Sequence, residues 1–568
     1  MYVATIPNRS SPPAILLRES YREGGKVKNR TLANLSHWPP EKIESLRRLL
    51  RGERLLPVDE LFSTERSLPH GHVEAVLGTI RKLGLDRVIS AKPCRERNLV
   101  VAMIADRLIH GSSKLATTRL WHSTTLAEEL AVENADVEEL YDALDWLLAR
   151  KRRIEKKLAA RHLSEGSRVF YDVSSSYYEG RTCPLACFGN DRDGKKGLPI
   201  IVYGVLADEE GRPVAADVYP GNTGDPTTVP DQVDKLRDRF ELSRIVLVGD
   251  RGMLTQTKIE HLKKFPGLGW ISALKSRSIR GLMDRGTLQR SLFDEQNIAE
   301  IHAPEFPGER LIACFNPLLV EERRRKRKEL LAATEKELER IRKEVQRRTN
   351  TPLVQKDIAL KVGRVINRYK MAKHFELTIK DGHFRWARLE EAIRREEALD
   401  GIYIIRTSEP VEKLSPEETV RQYKKLAWVE RAFRMLKGIN IRVRPIRHRT
   451  EEHVRAHIFL CMLAYYVEWH IRNALAPILF DDEDLHESWK KRDPVAPAKP
   501  SASAKRKKAK RLTEDGLPVH SFDTLLKELG TRCRNLCRVK SDPSGEAFYQ
   551  VTDPTRFQIR VLGLLDLL

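Results

Sequence analysis

The chain has 568 residues, 41% of them apolar and 32% charged, and its 102 Lys and Arg against 80 Asp and Glu leave a net charge of +22. This length calls for two to four domains, because a single hydrophobic core rarely grows past about 300 residues. The charge favours a polyanionic partner, nucleic acid foremost, although ribosome-associated and membrane-surface proteins share it. The composition leaves no place for a disulfide framework: the seven cysteines are odd in number, scattered, and fit thiols in a reducing compartment. The longest apolar run, Ile458 to Val467, is half of what a bilayer-spanning helix requires. The N-terminus has no charged start and apolar core of a secretory signal, so a soluble cytoplasmic chain is expected, without a membrane partner.

Residues 1–72 read as a β-rich module, with Ala14–Leu17 and the stretch from Val27 to Leu35 flanking a Gly24-Gly25 hairpin turn. From 73 to 166 apolar residues recur at three and four, as in Leu140, Leu144, Leu147 and Leu148. This predicts a helical region, either a DNA-recognition module or a plain spacer. At Ser167 the pattern turns to short strands: Arg168–Ser174, Pro199–Ala207 and Pro213–Tyr219, then a helix over Val229–Phe240 and a buried strand, Arg244–Gly249. Three strands, a helix and a strand predict an α/β core of ribonuclease-H-like order across 167–275, with Gly269–Leu274 as a further strand.

Residues 276–400 read as an insertion outside the sheet. Leu331, Leu338 and Val345 fall at heptad spacing, with Ile341 between them, which predicts a long charged helix or one arm of a helical hairpin. The core resumes over 401–480 with a strand, Gly401–Arg406. A helix follows, opened by Ser415-Pro416-Glu417-Glu418 as cap, first-turn proline and capping box, and running to Lys437. Residues 481–519, rich in Ala, Pro, Ser and Lys, read as a disordered basic linker, and 520–568 as a C-terminal module.

Two cysteine pairs, Cys183 with Cys187 and Cys533 with Cys537, lack the partners a structural zinc site needs. His453, His457 and Cys461 share a helix face, but the surrounding residues are apolar and aromatic, so core packing is the expected role. The carboxylates are more telling. Asp172 interrupts the apolar strand VFYDV, and an aspartate there is costly unless paired or metal-bound. Asp250 ends a fully apolar strand, where α/β sheets place their ligands. Glu430 lies midway along the capped helix, with Tyr423 two turns before it and Lys437 two turns after. A salt-bridged helix would explain Glu430 alone; the three carboxylates together suit hard divalent cations.

In order and spacing these residues resemble the DDE transposases of bacterial insertion sequences, in the branch marked by a tyrosine-arginine-glutamate-lysine signature. The resemblance is carried by Tyr171-Asp172-Val173, Arg192-Asp193-Gly194-Lys195-Lys196, Gly221-Asn222-Thr223, Gly249-Asp250-Arg251-Gly252, Arg444-Pro445 through His448, and Arg455-Ala456-His457. It spans about residues 167–471 and departs at Leu426, where the branch has a basic residue; Lys424 and Lys425 lie beside it. It implies that Asp172, Asp250 and Glu430 are catalytic and bind two Mg2+, with Mn2+ as a substitute. It further implies that Tyr423, Lys424, Lys425, Lys437, Arg251, Arg434, Arg444 and His448 contact DNA. A homodimer would bridge two terminal inverted repeats of double-stranded DNA, cut them and join them to a target, in a nucleoid-associated setting. A nuclease that cuts without joining, and a catalytically silent DNA-binding regulator, are the alternatives.

Overall fold

The computed structural model describes residues 1–9, 11–53, 61–294, 296–540 and 546–568. The chain forms two units, one of residues 1–69 with 532–553, the other of 70–531 with 554–568.

In the first unit β1 (Tyr2–Ile6), β2 (Ala14–Glu23) and β3 (Lys26–Asn34) form an antiparallel sheet. Gly24 and Gly25 both take positive φ, +59° and +77°, the left-handed pair that a tight two-residue hairpin turn needs. A helix, Pro40–Leu50, follows, and β4 (Phe62–Pro69) pairs antiparallel with Cys533–Val539, which in turn pairs with Phe548–Val551. The expected C-terminal module, 520–568, is therefore not one body. Its strands complete a sheet begun by β4, while the helices Phe522–Gly530 and Arg556–Leu564 belong to the second unit. Strand pairing across so wide a separation leaves no local pattern to read.

The second unit is built on one mixed sheet of eight strands. β5 (Arg168–Tyr177), β6 (Ile200–Ala207) and β7 (Pro213–Pro220) run antiparallel in sequence. On the other side of β5 lies β8 (Ile245–Val248), parallel to it, and then β9 (Leu268–Ala273), parallel to β8. β10 (Ile298–Ile301), β11 (Arg310–Phe315) and β14 (Ile402–Thr407) extend this sheet, with β14 joining antiparallel to β9. The segment 276–400 is thus not wholly outside the sheet. Its excursion spans the helices Pro317–Arg347 and Gln355–Tyr369, the hairpin β12 (Phe375–Lys380) and β13 (His383–Arg388), and the helix Glu390–Glu397. The heptad residues Leu331, Leu338 and Val345, with Ile341, pack against Ile358, Val362 and Ile366 in a helical hairpin with its own core.

The helices between Gly71 and His162 do not stand apart. Val76, Ile80, Leu99, Ile104, Leu140 and Leu147 share one core with β5, β6 and the helix Glu451–Ala474. Residues 458–467 of that helix are at most 3% exposed, because helices and sheet enclose it on every side; that is why its apolar run is not one-faced. No helix is long and apolar enough to cross a membrane among the described residues.

Residues 502–510, expected to be disordered, form a helix capped by Ser501, whose hydroxyl accepts from Ala504 N at 3.1 Å. Lys507 is buried there and donates to the backbone oxygens of Ala476 and Asp481 at 2.7 and 3.0 Å. A lysine-rich composition reads as solvated, but three carbonyl-seeking donors on an aliphatic stem can also close a helix end.

Candidate active site

Asp172 and Asp250 are placed by register. β5 and β8 are adjacent and parallel, and Phe170 lies opposite Val248, so counting two residues onward sets Asp250, just past the end of β8, level with Asp172 in the middle of β5. Asp172 is half-buried, and its Oδ1 accepts from Val173 N at 2.8 Å. Burial pushes its carboxyl up to about 7, the Val173 N–H opposes this, and the Asp250 and Glu430 charges push in the same direction as burial. Asp250 is exposed, with Oδ1 accepting from the amides of Gly252 and Met253 at 2.7 and 2.8 Å. A Cβ on Gly252 would meet that oxygen at 3.1 Å, so the turn after Asp250 is shaped for glycine.

Glu430 reaches the pair from the helix above β5. Ser415 Oγ accepts from Glu418 N at 3.2 Å and starts a helix over Pro416–Lys424; after a one-residue turn at Lys425 it resumes over Leu426–Lys437. The sequence pattern predicted one unbroken helix. Leu426, Val429, Phe433 and Leu436 line its buried face, and Phe433 meets the Tyr203 ring of β6 at 5.8 Å. Glu430 stays exposed on the flank. Lys437 ties the helix end to β5 by donating to Ser175 O at 2.6 Å and to Asp193 Oδ1 at 2.9 Å.

None of the three carboxylates has an ion-pair partner among the described residues, although the chain carries 102 Lys and Arg. Three mutually repelling, unpaired carboxylates are a donor set that fits hard divalent cations. As placed, no three His, Cys, Asp or Glu side chains among the described residues are gathered tightly enough to hold an ion, so the carboxylates are neighbours not drawn in around a centre. The same holds for the two cysteine pairs and for the His453, His457 and Cys461 row. His457 is buried, with its Nε2 at 3.1 Å from Val443 O.

The residues expected at DNA divide into groups. Tyr423 stands by the carboxylates: burial first, then Asp250, lifts its hydroxyl to about 12, with Arg251 opposing. Arg251 and Arg434 are exposed and have no ion pair among the described residues. Lys424 turns away, donating to the carbonyls of Val495 and Ala496 at 2.9 and 3.3 Å, and Lys425 lies over Trp428 and 3.8 Å from Glu209. Neither occupies the place of the absent basic residue, and Leu426 itself is core. Lys437 and Arg444 both pair with Asp193, at 2.9 and 2.5 Å. His448 packs against His457, ring centroids 4.7 Å apart, and burial drives its imidazolium form down to about 3.

Asp193 was missed as a functional residue. Its side chain is 1% exposed and also accepts from Tyr177 N at 3.1 Å, so it joins β5, the Glu430 helix and the segment after it. The signal was the Arg192-Asp193-Gly194 turn, which had no role assigned from its spacing alone.

Residues 189–467 match the family described as Transposase DDE domain, a stretch that contains Asp250 and Glu430 and begins after Asp172. With the mixed sheet, this match makes the chain a DDE transposase, a metal-dependent DNA-cutting enzyme. Residues 3–57 match the N-terminal domain of IS1634 family transposases. The chain belongs to the IS1634 family of insertion-sequence transposases. No curated protein matches it. Among solved structures it is similar to the piggyBac transposase in its synaptic complex with hairpin DNA, with a TM-score of 0.34 and 10% identity over 81% of this chain and 76% of that one.

Proposed function

We propose that Asp172, Asp250 and Glu430 are the catalytic carboxylates and hold two Mg2+ ions, for which Mn2+ can substitute. The observation that carries this reading is geometric: Asp172 within β5 and Asp250 just past the end of the neighbouring parallel β8 lie level, Glu430 is on the helix above, and none has an ion-pair partner among the described residues of a basic protein. The strand order β7-β6-β5-β8-β9, with β6 antiparallel, supports a ribonuclease-H-like core, and the hairpin of residues 317–397 an insertion carried by it. Bound ions would activate water or a 3′-hydroxyl and stabilise the leaving oxygen.

The chain's own groups orient and bind. Asp172, whose carboxyl burial raises to about 7, would hold an ion as the carboxylate. Tyr423 keeps its O–H and donates to a phosphate oxygen, while the exposed Arg251 and Arg434 meet the backbone phosphates. Lys437, held by Ser175 and Asp193, keeps Glu430 in register with β5. Tyr423, Glu430 and Lys437 at intervals of seven support the tyrosine-arginine-glutamate-lysine branch. The enzyme acts as a homodimer bridging two inverted repeats, cutting each end and joining it to target DNA.

The test is a paired-end assay with D250N and E430Q. Each is expected to retain end binding and lose both cleavage and strand transfer by at least about a thousandfold, the scale on which removing one member of a catalytic unit acts. Retained cleavage in either variant refutes the assignment, and cutting without joining by the wild type favours a nuclease.

A further inference from the structure

A second charged site lies away from the carboxylates, in a cavity of about 250 Å3 between the end of the helix Arg95–Ile109 and the segment that follows the Glu430 helix. Arg107, Lys114, Arg442, Arg444, Arg447 and His448 line it, and among the described residues no carboxylate does. Gly111, at φ +63°, brings the two walls together: a Cβ there would meet Asn440 O at 2.7 Å.

Two of these cations are deeply buried. Lys114 is 4% exposed and has no hydrogen-bond or ion-pair partner among the described residues; burial, with Arg107 adding to it, holds its ammonium down to about 7. Arg107 is 5% exposed and, among the described residues, donates only a long bond of 3.3 Å to Ile441 O and leaves its Nε without a partner. His448 Nδ1 is buried and likewise has no hydrogen-bond partner among the described residues. Asp106, whose charge acts on Lys114 against burial, is itself engaged by His110 Nδ1 at 2.8 Å and Thr117 Oγ1 at 2.7 Å. Buried like charges without a counter-ion cost stability, and a fold keeps them where a ligand supplies the opposite charge. The group that enters must be anionic, rich in acceptors and small. Arg444 links the cavity to the catalytic side, because its partner Asp193 also holds Lys437.

We infer that this cavity binds a phosphodiester of the DNA strand being processed, a phosphate other than the scissile one, with Lys114 and Arg107 as its buried anchors. The DNA half of the inference rests on the reading under Proposed function; the anion half stands without it.

The test uses the full chain and two variants, Lys114→Met and, at the exposed rim, Arg442→Asn, whose side chain tolerates the left-handed backbone at 442 (φ +51°). Without added anion, K114M is expected to melt above the wild type. Inorganic phosphate, set against sodium chloride of equal ionic strength, should raise the wild-type Tm and leave K114M nearly unmoved. K114M should bind end DNA about tenfold more weakly, with a log K against log salt slope smaller by about one, and R442N should shift the slope in the same direction. A K114M that melts below the wild type, or a phosphate effect equal in both, overturns the cavity as an anion site. A phosphate effect lost in K114M with an unchanged DNA slope in both variants overturns DNA as the source and assigns the site to a free anion. A wild type that fails to bind end DNA refutes the proposed function instead.

Discussion

Replacing Asp172 with Asn should make the metal-free enzyme more stable while abolishing its activity. The Asp172 carboxyl rises from an ordinary 3.8 to about 7, with burial first among the causes and the Asp250 and Glu430 charges adding to it. A carboxyl whose folded value is raised is protonated in both states below about 4 and carries no penalty there. Between about 4 and 7 the unfolded chain ionises while the fold holds the proton, so stability falls as pH rises, and the full penalty is present above 7. At 1.36 kcal/mol per pH unit the shift amounts to about 4 kcal/mol, and the partial solvent access of the side chain reduces it to about 2–3 kcal/mol. Urea unfolding of the metal-free wild type and D172N at pH 4 and pH 8 checks this. The expected result is near-equality at pH 4 and a D172N advantage of about 2–3 kcal/mol at pH 8. A D172N protein less stable than wild type at pH 8, or a difference independent of pH, would refute the reasoning. Added Mg2+ should then stabilise the wild type more than D172N, because only the former keeps the full donor set.

Gly252→Ala should push the Asp250 carboxylate out of its place, lowering the cleavage rate about tenfold or more with little change in Tm; normal single-turnover cleavage would show that the turn yields instead. Leu426→Lys, which installs the branch's usual basic residue, buries an ammonium in the core face of the Glu430 helix and should cost about 3 kcal/mol in urea unfolding. A stable L426K with tighter DNA binding would instead place that position at the DNA. Lys437→Met leaves Asp193 with one cation fewer and should lose about 2–3 kcal/mol. If stability holds and only DNA affinity drops, Lys437 is a phosphate contact and not a clamp.

The core strands were legible because each is a short apolar run closed by Gly, Pro or Asp: RVFYDVS, PIIVYGVLA and RIVLVG need no knowledge of their neighbours. Asp172 and Asp250 stood out for the same reason, as charges set against apolar strands. β10 and β11 were hidden because IAEI and RLIACF are brief and sit beside a long charged helix, so the whole stretch took on that helix's character. At Lys507 composition misleads in the opposite direction: a lysine-rich stretch reads as solvated, yet the side chain donates to backbone oxygens. Heptad spacing identified the buried face of Pro317–Arg347, but its partner helix could be seen only in three dimensions. The contacts of Lys424 with Val495 and Ala496 and of Lys425 with Glu209 were not legible, because sequence adjacency to Leu426 says nothing about direction: on a helix, neighbours point about 100° apart.

The pairing of β4 with Cys533–Val539 bears on how the chain is made. During translation β4 leaves the ribosome early, and the strand that covers its edge emerges only after the whole catalytic sheet has been synthesised. Until then β4 presents unpaired backbone groups. A message cut short, or a ribosome that stops before residue 533, releases a chain in which the first unit lacks two of its strands, however complete the sheet bearing the carboxylates has become.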